Sequence, residues 1–522
     1  MPAKVLTFGQ GFSADAQRPA IVGCRTTFDP TTVDPTLVNA LANMYCRDPL
    51  VGGGVVGRPG CNTLGAQLGA GGLRTFQHLV QFTRQDGTEY TIGWCGGKMY
   101  TLNWGTRVWT EIVHGMAVST SARIYSCVLA DQIIFSDGVN TPFMWSGAAF
   151  TVLANCPALY GQPRIHYAKV FGIKAAKRNT IVWSEENDPT IGYEAGIYNN
   201  GWELVQTKAE GLHALFATNE ALYYWRERSI GAIRGEVTPD FRSDGTREGV
   251  SEDIGTVSPG CVFSFGTDIY FPDADGRPWK ITQTEGVVPL WADLQRDLDS
   301  FAIDRTKLPA ATGAVWVLGT EAIFGLPRTG TKADVFLVVS VLTGKYQGYW
   351  EFRDATDTLS QAGVLATVKN ALNVPTLVHG SLNGYAHDHG EATGTIWDDT
   401  IDATAANRIA HVFRSAPLGS SAKVDKVFDL ARFVLRMPTA LSANAGWLLQ
   451  YLTTRANPGS ILLVALTVPA NVSAERQFVT GLGDSNGRWV MLDLRHGALT
   501  ERLEVMTAEI TAFIGGAEPA LT

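Results

Sequence analysis

The most compact set of ligand-type side chains in this 522-residue sequence is His379, His387, Asp388 and His389. His387 and His389 alternate, so on a strand they share one face, and imidazoles with a carboxylate beside them are workable transition-metal donors. The same spacing also describes the polar tip of a hairpin, and that is the expected reading: no metal and no cofactor. Paired carboxylates such as Glu185 with Glu186, or Asp398 with Asp399, could in principle serve acid–base chemistry. Neighbours on a strand point to opposite faces, so neither pair can flank one glycosidic bond. The basic groups Arg226-Glu227-Arg228 and Lys174 to Arg178 are short and interrupted, and read as solvated strand ends rather than a contact for DNA.

The run from Ser136-Asp137-Gly138 to Trp145 invites comparison with the Asp-box of glycan-hydrolysing propellers. The box holds its Gly, Thr and Trp closer together, which leaves a hairpin turn here. Phosphate-loop and HExxH patterns are absent from the sequence. The expectation is that the chain is not an enzyme.

A third set of residues concerns charge. The polar excursion Gly235 to Asp253 carries Glu236, Asp240, Asp244, Glu248, Glu252 and Asp253 against Arg242 and Arg247. An acidic loop repels a polyanion, so Glu236, Asp240, Asp244 and Glu248 are the candidate constriction of a channel that DNA must pass without sticking. The net charge of −8 fits such a wall and argues against a sequence-specific nucleic-acid reader.

The elements that must carry these residues are strands. Hydrophobic residues make up 45% and charged residues 18% of the chain, enough for large buried cores, and Gly 55 with Trp 14 favours short strands joined by tight turns. From about residue 74, apolar runs alternate with turn pairs, as in TFQHLVQF, QDGT, EYTIGWC, GGK and MYTLNW. Asp-Gly and Gly-Gly tolerate the positive φ of hairpin turns. The same rhythm returns four more times, each meander tending to end on an aromatic strand. One tryptophan per unit gives Trp94, Trp145, Trp183, Trp225, Trp279, Trp316 and Trp350, at spacings suited to four-stranded propeller blades. Ala292 to Lys307 has Leu294, Leu298 and Phe301 at helical spacing and predicts one short amphipathic helix; a helical turn is also expected around Thr36 to Met44.

The fold class expected is therefore all-β: an irregular β-propeller over 66–400, with loop insertions near 235–253 and 292–307. An N-terminal arm with first strands over 1–65 precedes it, and a C-terminal β-sandwich-like domain over 401–522 follows. The seven cysteines are odd in number and unpaired in spacing, so free thiols are expected. MPAKVLTFGQGF lacks the pattern of a secretory signal, and no run of about 18 apolar residues suits a membrane span.

Four passages, in chain order, resemble the tail nozzle, tail hub and packaged-DNA stabilisation proteins of short-tailed (podovirus-type) bacteriophages. LVNALANMYCRDPLVGGGVVGRPGCNTLG, residues 37–65, is similar to that family's opening, with Asn43, Tyr45, Arg58, Pro59 and Gly60 at the matching positions. IIFSDGVNTPFMWSG resembles its Asp-Gly hairpin, and KVFGIKAAKRNTIVWSEENDPTIGYEAG a blade in which Trp-Ser precedes an Asn-Asp-Pro turn. Val378 to Val434, including HGSLNGYAHDHGEA and DDTIDATAANRIAHVFRSAPLG, resembles its Gly-Tyr hairpin, acidic linker and final strands. Cys46, Cys61 and the His-Asp-His run depart from the family's pattern.

The resemblance implies a structural virion protein without catalytic residues, assembled in the host cytoplasm into a ring, usually a hexamer. Its partners would be an adaptor or portal-side ring, tail fibres or tailspikes, and genomic DNA passing through the axial channel. The alternatives are a receptor- or glycan-binding propeller adhesin and a glycan-cleaving propeller.

Overall fold

The computed structural model describes residues 55–196, 198–204, 210–235, 247–316, 320–354, 356, 358–389 and 398–399. It also describes the strand segments 3–8, 23–24, 37–38, 40–42, 44–46, 407–414, 426–436, 445–453, 464–468, 476–487, 490–499 and 504–514. Seven antiparallel blades follow one another around an axis. Their innermost strands are Phe76–Thr83, Tyr125–Leu129, Leu159–His166, Ala214–Ala217, Phe263–Phe265, Thr312–Trp316 and Ala362–Lys369. The strand opening blade 7 packs on the strand opening blade 1, so the circle closes.

Blade 1 shows how local sequence makes such a unit. The strand Glu89–Cys95 returns as Lys98–Asn103 across Gly96 and Gly97, whose φ of 59° and 79° is the pair of left-handed conformations a two-residue hairpin needs. The Asp86 side chain accepts from the Thr88 backbone N–H at 2.9 Å and fixes the preceding turn.

Each blade is apolar on both faces because each is covered by its neighbours. Phe82, Ile92, Trp94 and Met99 of blade 1 pack against Phe135, Phe143 and Trp145 of blade 2. Trp183 lies between blades 3 and 4, and Trp225 between blades 4 and 5. Trp316 and Trp350 meet edge to face, their ring centres 5.4 Å apart, in the core between blades 6 and 7. These two tryptophans belong to one blade, which corrects the expectation of one tryptophan per unit. Blade 7 carries none; its face towards blade 1 is supplied by Val364, Val368 and Val378.

Blade 7 has three strands from its own segment, Ala362–Lys369, Pro375–Ser381 and Ala386–His389. Its fourth strand, Asn62–Thr63, comes from the far end of the chain and pairs with His387 and Asp388. The segment before it is also extended. Where a helical turn is expected around Thr36 to Met44, the chain forms the strands Leu37–Val38, Ala40–Ala42 and Met44–Cys46. Tertiary pairing overrides the apolar spacing there: Ala40–Ala42 lies between the outermost strand of blade 6 and Asn407–Arg414. Gly348, at φ 99°, leaves room for it, since a Cβ there would stand 2.4 Å from the Leu41 carbonyl oxygen.

Beyond residue 400 the strands lengthen. Lys426–Arg436 pairs with Arg476–Gly487 on one side and Glu504–Ile514 on the other, and Ala3–Phe8 and Val55–Gly57 add to the latter. Asn407–Arg414, Val490–Leu499, Ala445–Thr453 and Val464–Val468 continue the sheet begun by blade 6. The insertion near 292–307 contains the expected helix, Gln295–Phe301, with Leu294, Leu298 and Phe301 buried. Among the described residues no helix is long and apolar enough to cross a membrane.

Glu321 opens the second strand of blade 6 and is 1% exposed. Its Oε2 has no hydrogen-bond partner among the described residues, and burial pushes the carboxyl well above its ordinary range. A raised pKa means that stability is fully present below the unfolded value and is lost as pH rises through the folded one. Glu321→Gln is therefore expected to stabilise the protein by about 1–3 kcal/mol at pH 8. The gain should shrink towards pH 5, as thermal melts at the two pH values would show.

Candidate functional site

The seven innermost strands enclose an axial cavity of about 320 Å³. Facing it are Arg123, at the entrance to blade 2, and Arg164, on the inner strand of blade 3, with Ser126, Gln162 and Ser264 nearby. No Asp or Glu is among the lining residues. Arg123 donates from Nη1 to the Ala311 carbonyl at 2.8 Å, and from Nη2 to Gly260 O at 3.2 Å and Thr312 Oγ1 at 3.0 Å. Arg164 donates from Nε to Leu215 O at 3.1 Å and from Nη2 to Val262 O at 3.2 Å, and lies 4.2 Å above the Phe216 ring. Also in the cavity wall, His78 pairs through Nε2 with Ser126 Oγ at 2.8 Å. Burial first, and Arg123 second, pull the His78 pKa down to about 3.

The histidine set is gathered, but not at a hairpin tip. His379, His387 and His389 are fully buried on one face of blade 7, because His379 is the cross-strand partner of His387 and the diagonal neighbour of His389. His379 Nδ1 and His389 Nε2 are 2.8 Å apart, the His379 and His387 rings stack with centres 4.5 Å apart, and Phe352 lies over His379 at 4.9 Å. Burial is the main cause that holds all three imidazoles neutral, with pKa values far below normal. Among the described residues, no group of three or more His, Cys, Asp or Glu side chains is arranged to hold a metal. Asp388 points away from this stack and pairs with Arg107 at 2.8 Å.

Next to the histidines sits a buried ion pair. Arg58 donates from Nη1 to Asp399 Oδ1 at 2.8 Å and from Nη2 to Asp399 Oδ2, with further bonds to the carbonyls of Pro59 at 3.0 Å and Glu351 at 2.7 Å. The Cys61 N–H donates to Asp399 Oδ1 at 3.3 Å. The two side chains are 1% and 4% exposed. In the sequence Arg58 stands in an Arg-Pro-Gly run and Asp399 in a pair of adjacent carboxylates, and neither setting announces an ion pair between them.

Of the candidate constriction residues, Glu236, Asp240 and Asp244 lie outside the described residues. Glu248 is on Arg247–Ser251, the outermost strand of blade 4, opposite Ala232. The excursion returns to the propeller on that outermost strand, while at its start the Gly235 carbonyl lies 3.1 Å from His166 Nε2, at the end of the inner strand of blade 3. Asp137 is used up in its own turn, accepting from the backbone of Val139 at 2.9 Å, Asn140 at 2.7 Å and Ser119 at 2.7 Å. Lys174 and Lys177 pair with Glu194 and Glu203 at the surface. Among the described residues Cys61, Cys95, Cys127, Cys156 and Cys261 are free thiols, and burial raises the pKa of each.

No protein-family model matches the chain, and no curated protein matches it. Solved structures of similar fold include the extracellular domain of a hybrid two-component system from B. thetaiotaomicron, with TM-score 0.42, 9% identity and cover of 63% of this chain. The match spans 39% of that protein's chain. The Neurospora crassa Pan2 WD40 domain aligns at TM-score 0.38 and 8% identity, covering 64% of this chain and 96% of its own. The computationally designed Ika8 protein aligns at 0.34 and 13%, covering 73% and 99%. Likeness at this level concerns the fold alone.

A second recess, of about 540 Å³, opens between blades 1 and 7. Trp104, Gln81, Asn103, Asn370 and Asn373 are among its lining residues, and the ion pair Lys369–Glu89, 2.9 Å, ties the two blades together across it. Trp104 Nε1 donates to Thr91 Oγ1 and Thr91 Oγ1 to Gln81 Oε1, both at 2.9 Å. Amides, hydroxyls and an aromatic edge, with the only charges paired to each other, suit an uncharged polyhydroxyl ligand.

Proposed function

We propose that the chain is a structural subunit of a short bacteriophage tail, of the nozzle or hub type. It acts by assembly in the virion, as a ring of copies of itself in contact with an adaptor or portal-side ring and with fibres or tailspikes. The reading assigns it no catalytic step. The observation that carries it is the meeting of two passages that separately resemble the nozzle family. Arg58, Asn62 and Thr63 come from the first passage, and His387, Asp388 and Asp399 from the fourth; together they form the propeller's closure. Residues of both passages thus serve one structural task, as expected if the resemblance reflects a shared architecture.

In this reading the genome travels through the bore enclosed by the ring of copies. The propeller's own cavity, at about 320 Å³ and faced by arginines, is not that path. The acidic excursion 235–253 rejoins blade 4 on its outermost strand, Arg247–Ser251. The test is the native mass of the purified full chain by analytical ultracentrifugation and its appearance by negative-stain microscopy. A closed ring of several hundred kilodaltons is expected from a chain of 56.3 kDa. The recess beside Trp104 favours a second reading, a glycan-binding propeller adhesin. A monomer or trimer that binds host surface glycans would establish that reading and overturn the first.

A further inference from the structure

We propose that the axial cavity of the propeller is a binding site for a phosphate-type oxyanion, held between Arg123 and Arg164. The inference does not depend on the tail assignment.

Two guanidinium groups face one water-accessible space in the middle of the protein, and among the described residues no carboxylate lines it. A charge removed from bulk water needs a counter-charge or it destabilises the fold. The partners they do have are backbone carbonyls and a hydroxyl, which fix direction without cancelling charge. Arg123 and Arg164 grip Gly260 O and Val262 O, two residues apart on one segment, so both forks are set along the same side of the cavity. Among the described residues donors remain unused: Arg123 Nε is buried without a partner there, and Arg164 bonds only through Nε and Nη2.

The surrounding field is positive as well. Lys332, in the connection between the second and third strands of blade 6, has its pKa lowered by burial and then by Arg123. The volume leaves room for a tetrahedral oxyanion with residual water, and guanidinium forks match its oxygen geometry. Gly260 is part of the construction, because a Cβ there would lie 2.1 Å from the Arg123 guanidinium carbon.

The test titrates inorganic phosphate, pyrophosphate and adenosine 5′-monophosphate into the purified full chain at constant ionic strength, following heat and melting temperature. One equivalent of phosphate is expected to bind per chain and to raise the melting temperature with concentration. Arg164→Met should weaken binding at least tenfold, and Gly260→Ala, which displaces Arg123, should weaken it too. Binding of phosphate itself identifies the free anion; binding only of pyrophosphate or the nucleotide assigns the site to a phosphate group of a larger ligand. An oxyanion released in stoichiometric amount on denaturation also supports the site. If none is released and no probe stabilises the wild type beyond matched chloride, the proposal fails. It fails equally if a folded Arg164→Met binds phosphate as tightly as wild type. Should that variant not fold, the wild-type titration and Gly260→Ala decide.

Discussion

Asp399→Ala is expected to lower the stability of the protein by about 3–5 kcal/mol, because it strands a buried guanidinium without its counter-charge. Arg58 is 1% exposed and cannot turn to water, and the carbonyls of Pro59 and Glu351 take up its hydrogen bonds without its charge. The loss falls where three parts of the chain meet. The N-terminal segment holds Arg58, blade 6 supplies the Glu351 carbonyl, and Asp399 pairs through its backbone with Asn407. Urea denaturation should show a lower midpoint, and limited proteolysis should cut first around residues 55–63. Replacing both partners by apolar residues, as in Arg58→Met with Asp399→Leu, should recover much of the loss, since the desolvation cost then disappears with the pair. A loss below about 1 kcal/mol for Asp399→Ala, of the size found for exposed pairs, would refute this role.

Acid should be the second point of weakness. His78 and His387 are held neutral down to about pH 3 and His213 to about pH 4, while His379 and His389 are also displaced far downward, burial being the main cause throughout. The ordinary imidazole titrates near 6.5. Below that pH the unfolded chain binds protons that the folded chain refuses, so stability is complete above about pH 6.5 and falls as pH drops towards the folded values. Each such histidine contributes a slope of about 1.4 kcal/mol per pH unit in that window. Buried acids oppose the trend, because Glu321, Asp388 and Asp273, raised by burial, take up protons earlier in the folded state. The balance is expected to cost several kcal/mol between pH 6.5 and 4.5. Urea midpoints at pH 7, 6 and 5 would measure it, and His379→Phe with His389→Leu should flatten the curve. A profile level from pH 6.5 to 4.5 would contradict the assignment.

The blades were legible in the sequence because each is built from local signals. Gly96-Gly97 and Asp86-Gly87 announce their hairpins, and Leu294, Leu298 and Phe301 announce the helix by spacing alone. Short elements whose partners are distant were not legible. Leu37, Leu41 and Met44 have helical spacing, yet pairing with blade 6 and with Asn407–Arg414 makes that stretch extended. The histidines read as polar because the residue type usually is; their burial depends on Phe352, from another blade, lying over them. The arginine pair carried no signal at all. Arg123 and Arg164 are isolated in sequence, and only the circular arrangement of blades turns both towards one space. The candidate acids show the converse: Glu248 is conspicuous in sequence but sits on a rim strand.

The borrowed fourth strand of blade 7 has a consequence for how the protein is made. Arg58 leaves the ribosome 341 residues before Asp399, its partner. At about 5–20 residues per second, the N-terminal segment waits roughly 20–70 s before its binding site exists. During that time six blades can form one after another from local hairpins, while the first and last of the growing row keep open flanks. The growing row is therefore a spiral rather than a circle, and a messenger truncated anywhere before residue 389 yields a chain that cannot shut. Synthesis itself makes the closing residues a checkpoint: only a polypeptide extended past residue 399 gives Arg58, Asn62 and Thr63 their partners.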